Sequence, residues 1–142
     1  MLKLLCVFGL LCCLTGQVSA AMKSYKTVVY EAVRREPSDF QFASSDLQDN
    51  MGFVLKLVEL DWRVIQYASS RLRYDKRFII KAVRLNPEVV KGLPKRLTNN
   101  HDFARKLVRA NPNCYPYLSE ELRNDSAFKL SVNKDHVFLN RQ

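Results

Sequence analysis

The residues that could do chemistry in this chain are few. Its 142 residues include two histidines, His101 and His136. A metal site usually needs three or four Cys, His or carboxylate ligands brought together, and the sequence shows no cluster with that spacing. His101 precedes Asp102 at a predicted helix start, a position typical of a solvent-exposed cap. We therefore expect no metal site, and no cofactor of any other kind.

The candidate nucleophile is Cys114, because the other three cysteines lie in the first thirteen residues. A thiol beside a histidine can act in covalent catalysis, so a hydrolase built on Cys114 is one alternative. However, Val64, Val89 and Cys114 are evenly spaced, which favours a buried structural position for the thiol. With only four glycines in the chain, no phosphate-binding loop is recognisable. We expect the protein not to be an enzyme.

Val64, Val89 and Cys114 are 25 residues apart, and this spacing recurs throughout the chain. A fixed period of this length is typical of one supersecondary unit that is copied and stacked. The copies run over about 26–49, 50–74, 75–99 and 100–124, with a partial copy at 125–142. We expect two periodic series to form the repeat core: Phe53, Phe78, Phe103 and Phe128, and Leu47, Leu72, Leu97 and Leu122.

Each copy is predicted to contain two helices and a turn. In the third copy, Asp75 is a good N-cap, and the helix that follows places residues 78, 79, 82, 83 and 85 on one apolar face. It should end near Asn86, because Pro87 disfavours the α conformation of the preceding residue. A Ser-x-x-Leu turn then closes the unit, as in Ser44 to Leu47.

Three residues disturb this pattern, namely Gly92 and Pro94 in the third copy and Pro116 in the fourth, and there we expect irregular second helices. Nothing alternates with period two for long enough to indicate a sheet. The predicted fold is all-α, with short tandem repeats of period 25 stacked as a small solenoid.

Residues 1–20 are predicted to be a cleavable signal peptide. Lys3 precedes an apolar run from Leu4 to Leu14, and Val18-Ser19-Ala20 places small residues before a cleavage site after Ala20. The run is shorter than the about 20 residues that span a membrane, and an uncleaved N-terminal anchor is the alternative. We expect a secreted protein (periplasmic if the source is a Gram-negative bacterium), with residues 21–142 forming a single domain without a transmembrane helix.

The basic residues are concentrated in the middle of the chain. The formal net charge is +9, and residues 71–109 hold twelve Lys or Arg against three acidic residues. If side chains one repeat apart lie side by side on packed helices, the lysines at 56, 81 and 106 form a series, as do Arg84 and Arg109. The candidate surface for an anion or other partner comprises Lys56, Lys76, Arg77, Lys81, Arg84, Lys91, Lys95, Lys106 and Arg109.

Two interpretations of this surface stay open, a solvated face and a surface that binds a polyanion. A separate series, Asp46, Arg71, Arg96 and Glu121, has charges that could pair between neighbouring copies. Such exposed pairs contribute only about 0–1 kcal/mol each.

Several strings resemble the repeat unit of a family of unknown function, DUF4116. They are Phe-Val-Leu-Lys-Leu-Val at 53–58, Tyr-Ala-Ser-Ser-Arg-Leu-Arg-Tyr-Asp at 67–75, Ile-Ile-Lys-Ala-Val at 79–83 and Leu-Ser-Glu-Glu-Leu-Arg-Asn-Asp at 118–125. The resemblance covers about residues 40–130 and departs at Gly92 to Leu97 and at Pro116. It implies tandem short helices and transfers no catalytic residue. Because the family occurs in bacterial and protist proteins, often those of intracellular bacteria, it makes a host-derived partner conceivable.

Two functional hypotheses result. The first is an exported, non-enzymatic helical-repeat protein that acts as a protein-binding or adaptor module. The alternative is a polyanion-binding protein that uses the basic patch at 71–109 to contact anionic lipid, polysaccharide or nucleic acid.

Overall fold

The computed structural model describes the backbone of residues 18–139 and the side chains of residues 25–134. Every regular element in this range is helical. The α-helices are α1 Val18–Arg35, α2 Ser45–Gln48, α3 Met51–Leu60, α4 Ser70–Tyr74, α5 Lys76–Leu85, α6 Lys95–Thr98, α7 His101–Ala110, α8 Glu120–Asn124 and α9 Ser126–Leu139. The 3₁₀ helices are η1 Pro37–Phe42, η2 Trp62–Tyr67, η3 Pro87–Gly92 and η4 Pro112–Tyr117. The all-α prediction is confirmed.

Most of the predicted signal peptide, residues 1–17, lies outside the described residues. Residues 18–20 form the start of α1, so that the backbone is helical on both sides of the predicted cleavage site. Cleavage after Ala20 stays a prediction.

Copies two, three and four contain the same three elements in the same order. A ten-residue α-helix is followed by a six-residue 3₁₀ helix and a short α-helix. The first copy has α1, η1 and α2 in the corresponding places. The period of the sequence is therefore a period of secondary structure.

The polar residue that recurs three positions before each periodic phenylalanine is a helix N-cap. The side-chain oxygens of Asn50 and Asn100 each accept a hydrogen bond from the phenylalanine amide at 2.9 Å, and Asp75 accepts from Arg77 and Phe78. These bonds satisfy amides that the first helical turn leaves without a partner. One spacing therefore starts the helix and places the phenylalanine on its inner face.

The expectation of irregular second helices at Gly92 and Pro116 is wrong, because η3 and η4 have the same six-residue length as η1 and η2. At the start of η4 the Cys114 amide donates a hydrogen bond to Asn111 O at 3.1 Å. At its end the Leu118 amide donates to Tyr115 O at 3.2 Å. Neither bond needs an amide at residue 116, which proline lacks. A 3₁₀ helix of this length tolerates proline there.

The periodic core residues are buried with one exception. The four phenylalanines and Leu47, Leu72 and Leu122 are all buried, whereas Leu97 is half-buried and its neighbour Thr98 is buried instead. In this copy Pro94 replaces the serine whose hydroxyl accepts from the leucine amide in the other copies, and α6 has no side-chain cap bond. The buried position moves by one residue as a result, and the expectation for Leu97 is wrong.

The contacts between residues divide the chain into two compact units, the first ending at Leu72 and the second beginning at Arg73. In the first unit α1 contacts η1 and α3, and η1 contacts η2. In the second unit α5 contacts α7, α7 contacts α9, and η3 contacts η4. Equivalent helices of consecutive copies therefore touch within each unit. A solenoid over the whole chain and a single domain over residues 21–142 stay predictions.

Polar contacts also join neighbouring copies, and the residues that make them are fewer than 25 positions apart in the sequence. In the first unit Arg71 Nη2 lies 2.9 Å from Asp49 Oδ2, and the Ser69 hydroxyl also donates to Asp49. In the second unit Asn99 Nδ2 donates to Glu121 Oε2 at 3.4 Å. Arg71 and Glu121 thus reach the residue that follows the preceding short helix, a position additional to those of Asp46 and Arg96, which the period suggests as partners.

The Asp49 contacts predict a pH-dependent contribution to stability. The hydrogen bonds from Arg71 and Ser69 hold the pKa of Asp49 below its ordinary value. This carboxylate therefore stabilises the folded state above the unfolded pKa of about 3.9, and the contribution is lost as the pH falls further. We expect Asp49→Asn to lower the urea midpoint of unfolding at pH 7. The difference in midpoint between variant and wild type should become smaller as the pH is lowered. Asp46→Asn, the same charge change within the short helix that Asp49 follows, is the control, and equal effects of the two variants would contradict the assignment.

Candidate binding surface

The excess positive charge lies on two equivalent helices of the second unit. Helix α5 carries four basic residues and no acidic one, and α7 carries three basic residues and one acidic residue. The equivalent helix of the first unit, α3, carries one of each, Lys56 and Glu59. The charge is therefore specific to copies three and four, although all three helices share the same core positions.

The amphipathic pattern of α5 directs its cations outward. Its buried residues are 78, 79, 82 and 83, whereas Arg77, Lys81 and Arg84 are exposed. Residues four and three apart lie on one helical face, so these three side chains form a stripe opposite the core. In α7 the equivalent positions hold Lys106 and Arg109, both exposed.

Two contacts fix how α5 and α7 pack against each other. The Lys76 ammonium lies 5.6 Å from the ring centroid of Phe103, and Asn111 Nδ2 donates to Val83 O at 3.0 Å. Helices in contact have axes about 8–10 Å apart, so residues one repeat apart, such as Lys81 and Lys106, lie on neighbouring helices at equivalent heights. We call Arg77, Lys81, Arg84, Lys106 and Arg109 the cationic face.

The charges at four positions of the cationic face are not neutralised by carboxylates. Within the part of the chain that the structure describes, Arg77, Lys81, Arg84 and Lys106 form no ion pair. Like charges that lie about one Debye length apart, roughly 8 Å at physiological salt, repel one another. An external anion would relieve this repulsion.

The remaining residues of the predicted surface have different surroundings. Lys91 Nζ lies 2.7 Å from Glu88 Oε2 and 4.4 Å from the Tyr117 ring centroid, and the bond to Glu88 raises the Lys91 pKa. Lys95 is exposed and lines a groove of about 700 Å³ that also contains Glu120 and Glu121. Lys56 is exposed on α3 of the first unit. Mixed charge at residues 91 and 95 makes that region less selective for an anion than the cationic face.

The family model for the Domain of unknown function (DUF4116) matches the chain three times, over residues 25–73, 50–94 and 75–123. Together the matches span more than half of the chain, and their starting points advance by one repeat. The chain belongs to the DUF4116 family. The search of curated proteins and the search of solved structures each found no match. The family description specifies no activity or ligand, so the surface of these DUF4116 repeats has to be interpreted from its own chemistry.

The surroundings of the residues with catalytic potential differ within these DUF4116 repeats. Cys114 is fully buried, and burial raises the pKa of its thiol to about 12. His101 Nε2 lies 3.7 Å from Asp125 Oδ2, and the His101 ring meets Phe128 edge-on at 5.8 Å. The His136 side chain lies outside the described residues. In the described part of the chain no three His, Cys, Asp or Glu side chains form a metal-binding group, and no helix there is long and apolar enough to span a membrane.

The buried thiol makes a testable prediction about reactivity. Thiolate is the reactive form of cysteine, so at pH 8 we expect Cys114 in the folded protein to react with a disulfide reagent only as fast as the protein opens. In denaturant, labelling should be complete within the mixing time. In a protein that lacks Cys6, Cys12 and Cys13, rapid stoichiometric labelling of the folded state, with Cys114→Ala as the unreactive control, would support the alternative of a catalytic thiol.

Two exposed apolar side chains beside the cationic face were not predicted. Leu85, expected on the apolar face of α5, is 45% exposed, and Tyr74 is 54% exposed. Leu85 is the last residue of α5 and lies one turn beyond Lys81. Leu85 lies seven residues after Phe78 and so at nearly the same helical angle as that buried ring, which is why the period did not predict its exposure at the end of α5.

Proposed function

We propose that this DUF4116 protein is an exported, non-enzymatic repeat protein that acts as a protein-binding or adaptor module. The observation that carries the proposal is a contrast between the inside and the outside of the repeats. Phe53, Phe78 and Phe103 are buried at one repeat position, whereas the exposed position just before each of them holds Gly52, Arg77 or Asp102.

The same contrast recurs near the other end of each helix. Val58, Val83 and Val108 are buried, whereas the exposed positions that follow them hold Glu59, Arg84 and Arg109. Copies that share a core but differ in their outer side chains present a sequence-specific surface, which is how repeat proteins select partners. This supports a surface, rather than a pocket, as the working part of the molecule.

The binding proposal can be tested with substitutions that the repeat itself supplies. Arg77→Asp and Arg84→Glu introduce the residues found at positions 102 and 59, so they suit the fold. We expect immobilised wild-type protein to recover a partner that saturates and is displaced by soluble protein, and the double variant to recover less of it. Absence of any saturable, competable partner from the medium or host fractions would contradict the proposal.

Export is tested separately by recovering the protein from outside the producing cells and sequencing its N-terminus. We expect sequencing to begin at Ala21. A protein that stays with the cells and begins at Met1 would support the uncleaved anchor instead.

A second candidate function is binding of a polyanion through the basic patch at 71–109. Arg77, Lys81 and Arg84 on α5 and Lys106 on α7, which are exposed and form no ion pair in the described part of the chain, favour it. Because neutralising a polyanion releases counterions, we expect binding to heparin to weaken steeply with salt. Binding that ignores salt would exclude this candidate.

A further inference from the structure

The apolar side chains next to the cationic face distinguish between classes of polyanion. Leu85 follows Lys81 by one turn near the C-terminal end of α5, while Tyr74 directly precedes the N-cap Asp75 at the other end. Arg77 and Arg84 lie on the stripe between them. The segment that carries these cations is thus flanked in sequence by two exposed apolar side chains.

We infer that the cationic face, together with Tyr74 and Leu85, docks on the surface of an anionic phospholipid bilayer. This inference rests on the second candidate function and specifies its ligand. Lipid phosphates would pair with the Lys and Arg side chains, while the tyrosine and leucine enter the boundary between headgroups and acyl chains. Basic residues near an anionic membrane and apolar side chains at its interface both contribute to peripheral binding.

The leucine favours lipid over soluble polyanions. Sulfated polysaccharide and nucleic-acid backbones offer anions to Lys and Arg, but they gain nothing from an exposed Leu85. A bilayer gains from burying the apolar area that Leu85 and Tyr74 leave in water. Peripheral docking also needs no membrane-spanning helix.

The repeat provides a matched pair of variants. Lys81 and Lys56 occupy the same repeat position on α5 and α3, and both are exposed, so Lys81→Glu and Lys56→Glu make the same charge change at equivalent sites. The exported protein, without the predicted leader at residues 1–20, would be mixed with phosphatidylcholine vesicles with and without phosphatidylserine, and the bound fraction measured by flotation. Circular dichroism would verify that each variant retains its helices.

We expect binding only to the anionic vesicles, with Lys81→Glu weakening it about tenfold and Arg77→Asp/Arg84→Glu on the order of 100-fold. Lys56→Glu should change affinity less than about twofold, because its helix has no cationic stripe. Raising salt from 0.1 M to 1 M, which shortens the Debye length from about 10 Å to about 3 Å, should release the protein. Leu85→Ala should weaken vesicle binding about threefold or more and leave heparin binding unchanged.

The remaining outcomes would overturn the inference in distinguishable ways. Equal binding to neutral and anionic vesicles, or equal effects of Lys81→Glu and Lys56→Glu, would place the membrane contact outside the cationic face. Binding to heparin or polynucleotide without vesicle binding would reject the bilayer and keep polyanion binding. Failure to bind vesicles, heparin and polynucleotide alike would reject both the bilayer and polyanion binding. The protein-binding proposal is tested separately, by recovery of a partner that soluble protein displaces.

Discussion

Replacing Phe78 by alanine is expected to lower the free energy of unfolding by about 3–5 kcal/mol. Phe78 is fully buried in the second unit, and its amide donates to the N-cap Asp75. The substitution leaves the cap in place and removes the ring, so that the loss reports the packing of the core. Urea denaturation followed by circular dichroism measures it.

Tyr74 provides the control for this measurement. It is an aromatic residue four positions earlier, but 54% exposed, and Tyr74→Ala should change the free energy of unfolding by no more than about 0.5 kcal/mol. Equal losses from the two substitutions would mean that Phe78 does not occupy the buried position of the repeat.

Replacing Asn111 by aspartate is expected to lower the free energy of unfolding by about 1–3 kcal/mol. The Asn111 Oδ1 atom caps η4 by accepting from the Asn113 amide at 3.1 Å, while its Nδ2 donates to Val83 O in the preceding copy. Aspartate keeps the cap, as Asp61 does for η2, but it replaces the donor with a second acceptor facing a carbonyl oxygen. The variant therefore removes the bond between copies alone.

Asn113→Asp makes the same chemical change two residues later on an exposed side chain. We expect its urea midpoint to stay within error of the wild type, while that of Asn111→Asp falls. If both variants shift equally, the effect is one of added charge, and the hydrogen bond to Val83 contributes nothing measurable.

The sequence was sufficient to predict the helical repeat because several local signals agree at each copy. Asp75 caps a helix, Phe78 follows at the inner position, and Pro87 ends the helix, each for a separate physical reason. The recurrence of a cap and an inner phenylalanine from copy to copy made the class of fold unambiguous, and the exposed cations of α5 follow from the same helical geometry.

The features that the sequence did not predict depend on the local type of helix and on the directions of individual side chains. The second helices are of 3₁₀ type, and η4 keeps the length of the others with Pro116 inside it. Arg71 reaches Asp49 because its long side chain bridges a sequence separation shorter than the repeat. The ion pair of Lys91 with Glu88 likewise arises from one turn of η3. The 25-residue repeat of the sequence does not specify the directions of these side chains.

Backbone NMR is the most direct test of the claim that one repeat unit recurs with the same helices and the same core. We predict helical carbon shifts over 51–60, 76–85 and 101–110, each interrupted at the capping residue that follows, and slow amide exchange within all three segments. Extended shifts in any of these segments, or protection that fails to repeat from one to the next, would contradict the account.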